Sequence, residues 1–252
     1  MGGTHRIRLD QALVEAGHYA SRSRAADAIR RGCVKVGGRV ETRTSAPVSI
    51  EERIEIADEA ACYVSRAALK LKAGIEASDH SPAGRVALDI GASTGGFTQV
   101  LLESGAVKVI AIDVGHDQLD TLIAGDPRVV NIEGINAREL TREAIGDDPI
   151  GFVVADVSFI SLKLALPPAL ELAAPGAFGI FLVKPQFEVG REHIGKGGIV
   201  RYAEIAERVA GETAAWIGEQ KGWRLTHFLP SPIEGGEGNR EFIAAAVKDG
   251  MA

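Results

Sequence analysis

Two lysines and two carboxylates in this sequence stand where an active site could gather them, each near the end of a predicted helix or strand. They are Lys70, Asp156, Lys184 and Glu241. Lys184 follows an apolar stretch at 180–183, and a lysine at the mouth of a buried strand is costly unless it has a partner or a role. Each residue alone would form a surface salt bridge of little energetic value. Because strand ends converge at one edge of an α/β sheet, the set of four indicates a functional site.

A glycine-rich stretch, Asp-Ile-Gly-Ala-Ser-Thr-Gly-Gly-Phe at 89–97, follows the first predicted strand of the same region. Glycines allow the backbone to turn sharply and to approach a ligand at the carboxyl end of a sheet. Ser93 stands where a G-x-G-x-x-G motif has its second glycine, which disfavours a dinucleotide site and an NAD-dependent oxidoreductase. Asp113 ends the second predicted strand, where a carboxylate can accept hydrogen bonds from both ribose hydroxyls of an adenosine.

An acidic residue at the start of the loop suits a ligand with a cationic amino-acid end better than one with phosphates. The loop and the second-strand carboxylate therefore favour S-adenosylmethionine (SAM) as the cofactor. A generic α/β turn with capping carboxylates is the alternative. The predicted cofactor-binding residues are Asp89, Gly91, Ala92, Ser93, Gly95, Gly96, Phe97, Asp113, Val114 and Asp156.

The residues after the fourth predicted strand indicate which kind of atom would accept a methyl group. The run Ala-Asp-Val-Ser-Phe at 155–159 lacks the Asn/Asp-Pro-Pro-aromatic cluster typical of amine methylation. Carbon methylation of pyrimidines needs a cysteine nucleophile, but Cys33 and Cys62 both precede the cofactor-binding region. A hydroxyl acceptor remains, and it must be activated by a cation or a base because its pKa lies far above neutral.

Alternating apolar runs and helical patterns must position these residues, and their βαβα order predicts a doubly wound, Rossmann-like parallel sheet in an α/β fold. Only a loop separates the last two strands, which should form an antiparallel pair at one edge. The predicted strands are 86–90, 107–112, 129–132, 152–155, 180–183, 224–229 and 241–247. The predicted helices are 97–104, 118–124, 162–172 and 202–220.

The charge distribution separates a basic first segment from an acidic remainder. The net charge is −6, but residues 1–43 hold nine Lys and Arg against four Asp and Glu. This segment reads as two short helices, 9–16 and 22–31, followed by a tight hairpin at 34–40. Arginines along its second helix suit gripping of folded RNA through phosphates. We expect a small α+β RNA-binding domain at 1–62 and the SAM-dependent domain at 63–252.

Four short runs of the basic segment resemble the alpha-L RNA-binding motif, namely 8–10, 21–23, 28–32 and 34–38. Six runs of the larger region resemble the TlyA/hemolysin A family of ribosomal RNA methyltransferases, which have an FtsJ-like catalytic domain. They lie at 65–71, 89–98, 111–115, 155–161, 183–188 and 238–242. Ser-Phe-Ile-Ser at 158–161 and Lys-Pro-Gln-Phe-Glu at 184–188 are the most specific, and the resemblance covers nearly the whole chain.

The resemblance implies SAM-dependent 2′-O-methylation of cytidine in ribosomal RNA, with Lys70, Asp156, Lys184 and Glu241 as the catalytic set and without a metal. We expect Lys184 to stabilise the developing alkoxide, Asp156 and Glu241 to hold Lys184 and the acceptor, and Lys70 to orient the hydroxyl. The implied partners are ribosomal RNA or ribosomal subunits. The predicted RNA-binding residues are Arg8, Arg22, Arg24, Arg30, Arg31, Lys35 and Arg66, with Arg24, Arg30 and Arg31 available to solvent.

One stretch, 164–183, has a single charged residue and needs comparison with a membrane span. Pro167, Pro168, Pro175 and Gly176 break it into a helix, a turn and a strand. The start of the sequence lacks a signal peptide, and two cysteines make no disulfide framework, so we expect a cytoplasmic protein without membrane contact. A membrane-active hemolysin and a non-catalytic RNA-binding factor remain the alternative functions.

Overall fold

A computed structural model describes residues 6–49, 51–236 and 238–250. The chain falls into two compact units, which divide between Cys62 and Tyr63. None of the helices in the described ranges is long and apolar enough to cross a membrane.

The first unit combines two helices with short antiparallel strands around its own apolar core. Leu9, Leu13, Ile29 and Val34 are fully buried in that core. Strand β1 pairs with β4, and β2 pairs with β3 and β5. The predicted hairpin turn at Gly37-Gly38 is present, and both glycines have positive φ. The elements are β1 (Arg6–Arg8), α1 (Leu9–Glu15), α2 (Arg22–Arg30), β2 (Val34–Val36), β3 (Arg39–Val40), β4 (Pro47–Ser49) and β5 (Ile54–Ile56).

The second unit contains a seven-stranded sheet in the order β11-β12-β10-β9-β6-β7-β8. Neighbouring strands are parallel from β10 to β8, and β12 is antiparallel to both β10 and β11. This confirms the predicted parallel sheet with an antiparallel edge pair. The strands are β6 (Val86–Ile90), β7 (Lys108–Asp113), β8 (Val129–Glu133), β9 (Ile150–Ala155), β10 (Ala173–Val183), β11 (Trp223–Pro230) and β12 (Phe242–Lys248).

Both faces of this sheet are buried under helices, as expected for parallel strands with apolar side chains on alternate sides. Ala87 and Phe152 belong to one apolar cluster, with residues of α3 and α4, whereas Leu88 and Val153 belong to the other, with residues of α7, α8 and α9. The helices are α3 (Ala68–Ser78), α4 (Gly96–Glu103), α5 (Thr121–Ala124), α6 (Arg142–Ile145), α7 (Leu162–Ala165), α8 (Pro167–Leu172) and α9 (Ala203–Gly218).

Three predicted elements of the second unit differ from the structure. The helix expected at 118–124 is the single turn α5, which begins where the Asp120 carboxylate accepts the Leu122 N–H. The helix expected at 162–172 divides into α7 and α8, because Pro167 cannot donate a helical hydrogen bond. The turn expected at Pro175-Gly176 is instead an irregularity within β10, where the pairing with β9 changes register between Ala173 and Phe178.

Candidate active site

The glycine-rich loop lies at the carboxyl end of β6, where its backbone comes close to the chain that follows β9. Gly91 has φ of +80°, and a Cβ at this position would lie 2.9 Å from the Asp156 carbonyl oxygen. Gly95 has φ of +99°, and a Cβ there would lie 2.8 Å from Leu119. Any other residue would be strained by the positive φ at both positions, and at Gly91 its side chain would also crowd the backbone of Asp156.

Asp113, at the end of β7, fixes the loop. Its Oδ2 accepts the Ser93 N–H at 2.8 Å, and its Oδ1 accepts the Gly115 N–H at 2.8 Å. A cleft of about 900 Å³ opens beside it. A carboxylate with spare acceptor capacity next to an apolar wall fits the ribose and adenine of SAM. The cleft is lined by Gly91, Ser93, Asp113, Val114 and Asp156, and by apolar side chains that include Ile112, Ile135 and Val157.

Not every predicted cofactor residue lies in this cleft. Asp89 is fully buried and lines neither the cleft nor the two cavities described below. Its Oδ2 accepts the Thr98 hydroxyl at 2.7 Å, and burial, the largest cause, raises the pKa of Asp89 to about 7. Gly95 likewise lines none of the three. Ala92, Gly96 and Phe97 line a small cavity of about 130 Å³ next to the loop.

Lys184, which follows β10, is buried and held by two oxygen atoms from the chain after β9. Its Nζ lies 2.6 Å from Asp156 Oδ1 and donates to Ser158 Oγ at 2.8 Å. Asp156 is held in turn, because its N–H donates to the Ile90 carbonyl at 3.0 Å. The ammonium group is therefore fixed between a carboxylate and a hydroxyl.

Lys70 and Glu241 form the second ion pair, at 2.5 Å, although 170 residues separate them in the sequence. Lys70 lies on α3, which packs against β12, and Glu241 directly precedes that strand. Both side chains are buried. The expected arrangement was therefore wrong in one respect: Glu241 pairs with Lys70 rather than with Lys184. The sequence predicted that these four residues gather at one edge of the sheet, but it did not specify which carboxylate pairs with which lysine.

A third cavity, of about 320 Å³, is lined by both Lys184 and Glu241. Lys184 also lines the small cavity next to the loop, and Ser158 lines all three spaces. The four predicted catalytic residues thus form two ion pairs, and one member of each pair faces a common cavity. A hydroxyl in that cavity would meet an ammonium group, which can stabilise a developing oxyanion, and a carboxylate, which can accept a hydrogen bond from the hydroxyl and orient it.

Three residues of this region were not singled out from the sequence. Ser158 bonds Lys184, and Phe159 is 92% exposed with a left-handed φ of +66°. Asn239 is buried, donates to the Gly198 carbonyl at 3.0 Å and accepts the Val200 N–H at 3.0 Å. The first two fall in the 155–161 run and Asn239 falls in the 238–242 run, so the sequence pointed to these segments but not to these side chains.

Glu188, in the Lys-Pro-Gln-Phe-Glu run, forms hydrogen bonds with a segment that follows the site residues of β9. Its Oε2 accepts the Ser161 hydroxyl at 2.6 Å and its Oε1 accepts the Leu162 N–H at 2.7 Å, at the start of α7. Burial raises the pKa of this carboxyl group. Glu188 therefore connects the segments that follow β9 and β10, which carry Asp156 and Lys184.

The predicted RNA-binding residues of the first unit are not equally accessible. Arg8, Arg22, Arg30 and Lys35 are exposed. Arg31 was expected to be available to solvent and is not: its guanidinium donates to Asp27 at 2.8 Å and to both oxygens of Asp58 at 2.9 and 3.0 Å. Arg24 donates to the Ala60 carbonyl at 3.3 Å, Arg8 and Arg22 both bond Asp10, and Arg66 is half-buried in the second unit.

Comparisons with known proteins agree with both units. The model of the FtsJ-like methyltransferase family matches residues 63–248, and the S4 domain model matches 7–54. A relative from Mycobacterium tuberculosis, the 16S/23S rRNA (cytidine-2′-O)-methyltransferase TlyA, is 42% identical over 94% of this chain and 88% of its own. Hemolysin A of Brachyspira hyodysenteriae is 39% identical over 94% of this chain and 98% of its own. A solved structure of a candidate hemolysin from Streptococcus thermophilus has a TM-score of 0.75 at 35% identity, over 98% of this chain and 90% of that one.

Proposed function

This chain belongs to the FtsJ-like methyltransferase family, and on that premise we propose that it methylates the ribose 2′-hydroxyl of a cytidine in ribosomal RNA, using SAM. The observation that carries the proposal is the position of Lys184. Its ammonium group is fixed by Asp156 and Ser158 and lines both the small cavity beside the glycine loop and the cavity that Glu241 also lines. An acceptor hydroxyl placed in the cavity that Lys184 and Glu241 share would meet one member of each ion pair.

The residues present fit SAM. Asp113 would accept hydrogen bonds from the ribose hydroxyls, the Gly91–Gly96 backbone would approach the amino-acid end, and Ile112 with Val157 would contact the adenine. When bound, SAM supplies a methyl group already activated on a sulfonium. The protein therefore has to position the acceptor and to stabilise charge, rather than to activate the donor.

Each ion pair has its own task in this proposal. Lys184 stabilises the negative charge that develops on the 2′-oxygen, and Asp156 keeps the ammonium group oriented. Glu241, held by Lys70, presents a carboxylate oxygen that would accept the hydrogen bond from the acceptor hydroxyl and then its proton as the 2′-oxygen becomes methylated. Low solvent access at both lysines strengthens these electrostatic interactions.

Methyl transfer to purified ribosomal subunits tests this function. Incubation with radiolabelled SAM should label ribosomal RNA, and mapping of 2′-O-methylated nucleotides should locate the label on a cytidine. A matched protein with Lys184→Ala should give no label, whereas Lys163→Ala, an exposed lysine on α7, should label as wild type does. Label on a base or on protein, or lysis of lipid vesicles without any methyl transfer, would contradict the proposal.

A further inference from the structure

Two arginines of the first unit share one buried carboxylate. Arg8 Nε and Nη2 donate to Asp10 Oδ1 and Oδ2 at 2.9 and 3.0 Å, and Arg22 Nη2 donates to the same Oδ2 at 3.0 Å. The Asp10 side chain is only 5% exposed, whereas the side chains of Arg8 and Arg22 are 46% and 57% exposed. The carboxylate is thus covered, while both guanidinium groups remain open to solvent.

Asp10 is itself fixed by the fold. It lies in the first turn of α1, and its N–H donates to the Thr44 carbonyl at 3.1 Å. Arg8 ends β1 and Arg22 begins α2, so one carboxylate connects three elements. The hydrogen bond from Arg8 has the largest effect on the pKa of Asp10 and lowers it to about 2. Burial has the next largest effect and acts in the opposite direction. Asp10 is therefore a charged and immobile acceptor at neutral pH.

We propose that Asp10 is a positioning residue for RNA binding, which holds Arg8 and Arg22 side by side as a preformed site for an RNA phosphate. The inference rests on the proposed function, because it requires that the first unit binds ribosomal RNA. Since both Nη2 atoms bond one oxygen, the two guanidinium groups must be neighbours. Each guanidinium has five N–H donors, and those that Asp10 does not use remain for phosphate oxygens.

The proposal reverses what net charge alone predicts. Removing a carboxylate from a basic surface should strengthen RNA binding, because phosphate contacts dominate the affinity. If Asp10 acts by ordering the arginines, its removal should weaken binding, because two flexible side chains would have to be ordered when the RNA binds. The two effects have opposite signs, so a single substitution distinguishes them.

The first measurement is the affinity of the full chain for purified ribosomal RNA at fixed salt. Asp10→Asn, which adds one unit of positive charge, should bind roughly tenfold more weakly than wild type. The matched control is Glu15→Gln, also on α1, because Glu15 accepts from Gln11 and not from an arginine. That control should bind as tightly as wild type or more tightly. Asp10→Asn binding as tightly as wild type would overturn the proposal.

A second variant tests the proposal even if Asp10→Asn does not fold. The double substitution Arg8→Lys with Arg22→Lys keeps the charge on exposed side chains but removes the planar fork that bonds Asp10. It should also bind RNA more weakly, and its KM for methylation should rise while kcat stays unchanged. If this variant binds RNA as tightly as wild type does, the proposal is wrong, whether or not Asp10→Asn folds.

A combined variant distinguishes the proposed role of Asp10 from the proposed function on which it rests. In a chain that already carries Arg8→Ala and Arg22→Ala, Asp10→Asn should cause no further loss of RNA affinity. A further loss would show that Asp10 acts through the fold instead. If Arg8→Ala and Arg22→Ala bind RNA as wild type does, the RNA-binding role of this surface is wrong as well, whereas methyl transfer by the second unit would stand.

Discussion

At the scale of single residues, Lys184 shows how a side chain can be fixed for chemistry or for stability with the same contacts. Asp156 and Ser158 hold its Nζ at 2.6 and 2.8 Å in a buried setting. A pair that served stability alone would need only the carboxylate. The added hydroxyl, and the cavity that Lys184 shares with Glu241, favour a role in stabilising an oxyanion.

Lys184→Ala should lower the single-turnover rate of methyl transfer by about 10²–10³ or more, because it removes the activating cation, while SAM binding stays near wild type. Lys184→Arg should also be inactive, since a planar guanidinium cannot replace a compact ammonium beside a hydroxyl. Melting temperature and rate are measured on the same preparation. A destabilised but active Lys184→Ala would remove this residue from the catalytic set.

Asp113→Ala should weaken SAM binding by about 1–3 kcal/mol, because donors of the ligand and of the loop lose their acceptor. Asp113→Asn keeps the size of the side chain and one oxygen, so its loss should be smaller. Calorimetric titration with SAM measures both variants. Unchanged affinity in Asp113→Ala would show that the cofactor does not contact this carboxylate.

At the scale of elements, the apolar runs were sufficient to predict every strand of the large sheet and its antiparallel edge, because buried parallel strands need continuous apolar residues. The irregularity in β10 was not predictable, because Pro175-Gly176 has the composition of a turn. Nor was the pairing of Lys70 with Glu241, which depends on how α3 packs against β12.

The start of α4 depends on the loop that precedes it, which makes Gly91 a test of the local geometry. Gly91→Ala should lower the free energy of unfolding by about 1–3 kcal/mol, because φ is +80° and the new Cβ would crowd the Asp156 carbonyl. Gly211→Ala is the matched control: Gly211 lies within α9 with no atom in the way of a Cβ, so it should gain about 0.5–1 kcal/mol. Denaturant unfolding measures the free energy of unfolding of both variants. Losses of similar size in the two would contradict the conclusion that a Cβ at position 91 is specifically strained.

At the scale of the whole molecule, the basic segment of the chain, residues 1–43, lies within the first unit. Residues 1–43 carry an excess of five positive charges, and the remainder carries an excess of eleven negative charges. We expect the first unit to grip RNA and the second to bind SAM.

A chain without residues 1–62 should therefore bind SAM as the full chain does, but its affinity for ribosomal RNA should be lower and should fall less steeply with added salt. Equal salt slopes for the two chains would show that this segment does not contact phosphate.

The stability of the second unit should depend on pH through His80. Its ring stacks on Phe178 with centroids 4.3 Å apart, and burial, aided by His227, lowers its pKa. Because the folded state disfavours the charged ring, the unfolded state binds more protons below its pKa of about 6.5. The free energy of unfolding should therefore fall as the pH drops below that value. His80→Phe should reduce this decline, because the ring that titrates is removed. Calorimetric unfolding from pH 5 to pH 8 measures both proteins, and equal slopes would contradict this role.

The place of β12 in the sheet also sets an order of events during synthesis. β12 follows β10 and β11 in the chain but lies between them in the sheet, and Glu241 directly precedes it. Until the ribosome has released this strand, β10 has no partner on that side and Lys70 has no carboxylate to neutralise it. A growing chain without β12 therefore lacks both the strand that pairs with this edge of β10 and the carboxylate that pairs with Lys70, so we expect methyl transfer to begin only after this strand has been added.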